Sequence, residues 1–225
     1  MSDERQTRDL IRDLAGDLAP VQPLPRVRFV AGAVLLLWLA IGVVGVAVLG
    51  LAPTFWETLT MPLSPGGIFA GLLVAGTGGV IAALALAIPG RERLARAGFT
   101  LGGAGLAISA GVGLVLLVRS PLIEWRWPEG HDLSCLVNAL VVGLVPALAL
   151  GWFAGRAAPY RPIAIALAAA TGAAALGGSV AKAACPADDP MHLMLGHVIV
   201  PAVGAFVLAL PLLVAIRRGE RARRG

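Results

Sequence analysis

The sequence is short of charge, of aromatic side chains and of cysteine. Charged residues make up 14% of the 225 residues, aromatic residues 5%, and there are two cysteines. A soluble domain carries about 25% charged residues, so the low charge excludes an ordinary soluble domain. The basic residues are scattered over many loops rather than gathered on one face, which excludes a nucleic-acid-binding surface. No stretch alternates between apolar and polar residues as a half-buried strand does, so we expect an all-α protein.

The chain has long apolar runs instead. Hydrophobic residues make up 58% of it, and its 29 glycines suit helices that pack closely in lipid. A helix of about 20 apolar residues, rising about 1.5 Å per residue, crosses a bilayer core of about 30 Å. We therefore predict an all-α membrane protein with six transmembrane helices. The predicted spans are 29–51, 66–88, 100–118, 134–154, 162–181 and 195–216.

The placement of arginine predicts how the protein is oriented. With six spans, fifteen of the 18 basic residues fall in the two tails and in the loops at 89–99 and 155–161. Because basic loops stay in the cytoplasm, we expect both termini there and a net acidic surface on the other side. The predicted parts are a cytoplasmic leader with a short amphipathic helix (1–28), a six-helix transmembrane domain (29–216) and a basic cytoplasmic tail (217–225).

Side chains that bind soft metals are concentrated at the outer ends of two predicted spans. Cys135 opens the fourth span, and Cys185 follows the fifth. Thiolate and imidazole ligands suit soft or borderline metals, and two thiols outside the reducing cytosol can also form a disulfide. The alternatives are a metal site, a redox-switchable disulfide, and a permanent disulfide or two unrelated thiols. The candidate metal ligands or supporting residues around the cysteines are His131, His192, His197, Asp188 and Asp189.

The spacing of the histidines gives a weaker indication. His131 precedes Cys135 by four residues, which places the two on one side of a helix. His192 and His197 are five residues apart, so on a regular helix they point to different faces unless the helix begins between them. Each histidine taken alone is better explained as an interfacial residue that binds water than as a metal ligand. Lys182, at the end of the fifth span, is expected to extend its ammonium group to the outer interface.

The segment before the first span predicts a short amphipathic helix. Its apolar residues share one face, and charges of both signs cover the rest. Acidic residues outnumber basic ones on the polar side, so anionic lipid headgroups would repel it. We expect the apolar face to bind a groove in a partner protein. The residues of this face are Leu10, Ile11, Leu14 and Leu18.

Catalysis and transport find little support in the sequence. Apart from His197 near the start of the sixth, no predicted span carries an acid, a base or a Ser/His pair, which an intramembrane enzyme or a transporter would be expected to show. We expect no catalytic residue and no obligatory cofactor. The two alternative functions are a membrane thiol–disulfide oxidoreductase and a small metal transporter or efflux accessory. The first would usually need a second thiol pair arranged as C-x-x-C, which the sequence lacks.

Three features together resemble the NrsF family. They are the leader Leu10-Ile11…Leu14-Ala15…Leu18-Ala19-Pro20-Val21, the pair Ser134-Cys135, and the element Cys185-Pro186-x-Asp188-Asp189-Pro190 before the span that contains His197. The resemblance extends over nearly the whole chain. NrsF proteins are bacterial inner-membrane anti-sigma factors that negatively regulate an extracytoplasmic-function sigma factor.

The resemblance implies a mechanism. An NrsF protein holds its sigma factor inactive at the membrane, and a pair of periplasmic cysteines is needed to sense heavy-metal stress. These would be Cys135 and Cys185 here, with a cadmium-like or zinc-like ion, or an oxidant, as the signal. The apolar face of the leader would then contact the sigma factor. The sequence has no H-x-x-x-C-x-x-C element, so this contact differs from that of the soluble zinc-binding anti-sigma domains.

Overall fold

The computed structural model describes residues 2–16, 27–61, 63–120, 130–157 and 161–224. Within these ranges the chain is helical apart from its turns and connections, and it contains no strand, which confirms the all-α prediction. The helices are α1 (Ser2–Gly16), α2 (Val27–Leu49), α3 (Phe55–Thr60), α4 (Pro65–Leu86), α5 (Glu92–Arg119), α6 (Gly130–Arg156), α7 (Pro162–Ala184), α8 (Pro190–Leu193) and α9 (Val200–Arg224). A π-helical turn, Met194–Val198, joins α8 to α9.

Six of the described helical segments are long and apolar enough to cross a membrane, as predicted. They are α2, α4, α5, α6, α7 and the continuous unit formed by α8, the π-turn and α9. The third begins earlier than predicted, at Glu92 and not near residue 100. Its first turns carry Arg93 and Arg96, so the helix extends beyond the apolar run from which the span was predicted.

Helix α7 lies at the centre of the bundle. In its most apolar window 78% of the residues are buried inside the protein, against 11% for α2. It packs against α2, α4, α6 and α9, and its buried face consists mostly of alanine and glycine. The segment that follows α7, which begins with Cys185, therefore starts in the middle of one end of the bundle.

Small residues bring α4 and α5 into backbone contact. A Cβ atom added at Gly98 would lie 2.6 Å from the backbone nitrogen of Ala82, and one added at Gly71 would lie 2.7 Å from that of Ser109. Side chains at these positions would force the helices apart. The glycines therefore serve helix packing within the chain, as expected for a membrane protein.

The two ends of the bundle are different. At one, which we call the cysteine end, Ala52 donates a backbone hydrogen bond to Ala183 (3.0 Å) close to Cys135 and Cys185. At the other, the tail end, α6 and α9 come together at Gly155 and Gly219, whose backbones are in close contact. The basic C-terminal part of α9 extends from the tail end.

Candidate thiol and histidine centre

Two cysteines fifty residues apart in sequence meet at the cysteine end. Cys135 lies near the start of α6, and Cys185 caps the C-terminus of α7. Their Sγ atoms are 3.7 Å apart and both thiols are free. Cys185 is buried and Cys135 half-buried, so the pair sits just inside the protein surface.

His192 connects the cysteines to a buried carboxylate. Its Nε2 atom lies 3.1 Å from Sγ of Cys185, and its Nδ1 atom lies 2.6 Å from Oδ1 of Asp132. Both His192 and Asp132 are buried. A carboxylate can only accept a hydrogen bond, so Nδ1 carries the proton shared with Asp132 and Nε2 is turned toward the sulfur.

His197 completes the group. Its ring is fully buried, and neither ring nitrogen has a partner among the described residues. The ring packs edge-on against His192, with the centroids 5.2 Å apart. Cys135, Cys185, His192 and His197 each offer one ligand atom, and these four atoms all lie within 4.8 Å of one another.

The π-turn explains why two histidines five residues apart share a side. Ile199 donates its backbone N–H to the carbonyl of Met194 (3.2 Å), the i→i+5 bond of a π-helix. The next turn contains Pro201, which has no N–H and whose ring would clash with the carbonyl of His197 in a regular α-helix. The wider turn before the proline aligns residues i and i+5. The different faces expected for His192 and His197 are therefore not observed.

His131 lies at the outer edge of the group. Its ring stacks on that of His192, with centroids 4.8 Å apart and planes inclined by 17°. Its Nε2 atom is 3.4 Å from Oδ1 of Asp132, and its side chain is 52% exposed. It therefore covers His192 from the outside.

The two acidic residues expected near the cysteines have other partners. The carboxylate of Asp188 accepts from Nζ of Lys182 (3.2 Å), and that of Asp189 accepts from the backbone N–H of His192 (2.8 Å), which caps α8. Lys182 also donates to the carbonyl of Cys185 (3.2 Å) and is buried. The expected extension of Lys182 to the outer interface is therefore not observed, and the lysine instead holds the segment around Cys185 in place.

The neighbours of Cys185 favour its ionised form. The hydrogen bond with the Cys135 thiol, and a further one with His192, lower the pKa of the Cys185 thiol, although burial opposes the change. A thiolate is the form of cysteine that binds metals and attacks other sulfurs. The surroundings of Cys185 therefore favour its thiolate form.

Asp132 is the functional residue that sequence reasoning left out of the candidate site. It stands three residues before Cys135, a spacing that places both on one side of a helix. This spacing could have marked Asp132 as a candidate. Its contact with His192 could not be predicted, because His192 lies on another helix.

The family model for negative regulators of sigma F, NrsF, matches residues 14–217. The chain belongs to the NrsF family. The match includes both cysteines and all three histidines, and it confirms the resemblance found in the sequence. No curated protein and no solved structure matches the chain. Membership makes the chain a negative regulator with a sigma factor as its partner, and such regulators are not usually catalytic.

As predicted for this NrsF protein, a helix precedes the first span. The leader forms α1, and Leu10 and Ile11 on its apolar face are 60% and 59% exposed. Leu14 lies in α1, but its side chain is not among those that the structure describes. Leu18 lies outside the described residues.

Proposed function

We propose that this chain is an inner-membrane anti-sigma factor that holds an extracytoplasmic-function sigma factor inactive. It releases the sigma factor when the thiols at the cysteine end bind a heavy-metal ion or are oxidised. The observation that carries the proposal is the 3.7 Å approach of two free thiols, Cys135 and Cys185, at the end of the bundle away from the basic tail.

The distribution of charge supports a periplasmic position for the thiols. Arg217 and Arg218 lie near the tail end, and Arg91, Arg93 and Arg96 lie in and after the connection from α4 to α5. Near the thiols the one basic residue of α7 is Lys182, which is buried and paired with Asp188. Under the positive-inside rule the tail end is cytoplasmic and the cysteine end faces the periplasm.

The exposed apolar face of α1 supports a protein partner in the cytoplasm. Leu10 and Ile11 are uncovered on a helix whose other residues are mostly polar. Such a helix binds with its apolar face in a groove of the partner. We assign this contact to the sigma factor, because the family regulates one.

The helices that meet at the thiols provide the route for the signal. A metal ion or a disulfide would join α6 to the segment after α7. In oxidation the two thiols would give up two protons and two electrons to a periplasmic oxidant and form one disulfide bond. Helix α6 packs on α7 and α9, and it meets α9 again at the tail end, at Gly155 and Gly219. A shift of α6 would therefore reach the cytoplasmic side.

The test is co-purification of the detergent-solubilised protein with an extracytoplasmic-function sigma factor from the same genome, with and without Cd²⁺. We expect retention of the sigma factor without metal and its loss when metal is added. No retention under any condition would overturn the anti-sigma proposal. If the sigma factor were retained and neither Cd²⁺ nor an oxidant released it, the proposal that the thiols sense these signals would be overturned. The proposal that the protein binds a sigma factor would still stand.

A further inference from the structure

We propose that the cysteine end contains a tetrahedral site for a divalent cation of the zinc group, Zn²⁺ or Cd²⁺. Its four ligands are the Sγ atoms of Cys135 and Cys185 and one ring nitrogen each of His192 and His197. Asp132 is a positioning residue that orients His192. The inference rests on the proposed function in that it names the ligands through which the metal signal is received.

The sulfur atoms already have the separation that such an ion requires. A tetrahedral Zn²⁺ with Zn–S bonds of about 2.3 Å holds its two sulfurs about 3.8 Å apart. In this chain the two Sγ atoms are 3.7 Å apart. A disulfide would instead need the sulfurs to approach to about 2.05 Å. The arrangement is therefore closer to a pair of metal ligands than to a disulfide.

Asp132 and His192 match the arrangement found behind metal-binding histidines. Such a histidine usually donates its second ring N–H to a carboxylate, which fixes the tautomer and makes the ring a better ligand. Here Nδ1 of His192 lies 2.6 Å from Asp132, and Nε2 faces Cys185 at 3.1 Å. Two ligands with bonds of about 2.0 Å to one tetrahedral ion are separated by about 3.3 Å, so the 2.6 Å contact is a hydrogen bond. His131, Asp132 and His192 therefore do not form a second site.

His197 is the observation that points most directly to a ligand. Its ring is fully buried at the centre of the group, and both nitrogens lack a partner among the described residues. A buried polar atom without a partner costs about 1–3 kcal/mol of folding free energy. A metal ion bound between His197 and the other three ligands would give one nitrogen a partner.

Charge and access also fit a divalent ion. Two thiolates and two neutral imidazoles give a complex with a divalent cation no net charge, which reduces the cost of burying it. Each thiol gives up its proton when it binds the ion. A small pocket lined by Ala52, Phe55, Gly66 and Lys182 borders Cys185, and an ion would enter on this side.

The experiment uses the full-length, reduced protein in detergent without a sigma factor. Zn²⁺ affinity is measured by competition with a chelator, and X-ray absorption spectroscopy gives the ligand shell of the bound ion. We expect one ion per chain, with two sulfurs at about 2.3 Å and two nitrogens at about 2.0–2.1 Å. His197→Gln and His192→Gln should lower the affinity by more than the roughly 10–100-fold that loss of an outer-shell partner costs. His131→Gln, the matched control, should leave the ligand shell unchanged.

Several results would overturn the inference. These are no binding to the reduced protein, a shell without two nitrogens, or unchanged affinity in His197→Gln. The ligand shell is read on the wild-type protein, so a folding defect in a variant does not prevent the test. If the protein bound no metal but an oxidant still released the sigma factor, the metal site would be ruled out. The anti-sigma proposal would not be affected. Binding with the expected shell, but without any sigma factor retention, would support the site and overturn the proposed function.

Discussion

The Nδ1 atom of His192 lies 2.6 Å from Oδ1 of Asp132, although sixty residues separate the two along the chain. The contact links the start of α6 to α8 in the interior of the protein, where both side chains are buried. It holds the His192 ring so that Nε2 faces the thiols. The geometry of the proposed metal site therefore depends on a residue that does not itself bind the ion.

Replacing Asp132 by asparagine should weaken metal binding without removing a ligand. Asparagine has the shape of aspartate but lacks the negative charge, which makes Nε2 of His192 a better metal ligand. We therefore expect Zn²⁺ affinity to fall about 10–100-fold. Chelator competition on the reduced protein measures this. Asp188→Asn is the control, because Asp188 pairs with Lys182 and its loss should leave the affinity unchanged. Equal effects of the two substitutions would contradict the role of Asp132.

Each cysteine should be required for release of the sigma factor and not for its binding. Cys135→Ser and Cys185→Ser remove one ligand or one half of a disulfide at the cysteine end and leave the exposed apolar face of α1 unchanged. We expect both variants to retain the sigma factor in co-purification and to keep it when Cd²⁺ is added. A normal response to Cd²⁺ in either variant would show that the thiols are not the sensor.

Pro201 should control the alignment of His192 and His197. In Pro201→Ala a regular α-helix can replace the π-turn, and each residue then advances by about 100° around the axis. This would turn His197 away from His192, so we expect metal affinity to fall while the helix content in circular dichroism stays the same. Pro211→Ala is the matched control, since this proline also lies inside α9 but farther from the site. An unchanged affinity in Pro201→Ala would mean that the proline does not cause the turn.

The close approach of α4 and α5 should make Gly98 sensitive to substitution. A Cβ there would lie 2.6 Å from the backbone nitrogen of Ala82, so Gly98→Val must push the helices apart. Overpacking of this kind costs about 1–3 kcal/mol of unfolding free energy. Gly103→Val on the same helix is the control, because a Cβ at Gly103 has no atom within 4 Å. Unfolding in detergent micelles compares the two, and equal stabilities would contradict the packing argument.

Local properties of the sequence were sufficient to predict the membrane spans and to select the candidate residues. Apolar length predicts a membrane-spanning helix wherever it packs, and cysteine and histidine are rare enough here to stand out. The sequence could not show that Asp132 contacts His192, because that contact depends on how α6 and α8 meet. It also predicted different faces for His192 and His197, because helical spacing assumes a regular α-helix. Lys182 was assigned to the interface for a similar reason, since its carbonyl partners exist only in the folded chain.

The apolar face of α1 should be needed for binding the sigma factor and not for binding metal. Leu10 and Ile11 are exposed, and an aspartate at either position would place a charge in the groove that we expect to receive this face. Leu10→Asp and Ile11→Asp should reduce the sigma factor recovered in co-purification at least tenfold, a cost of about 1.4 kcal/mol or more. Asp9→Asn, on the opposite side of the helix, is the control and should retain it. Zn²⁺ affinity should be the same in all three variants, because α1 contributes no ligand. If the Leu10 and Ile11 variants held the sigma factor as well as the wild type, the contact would have to lie on other cytoplasmic segments.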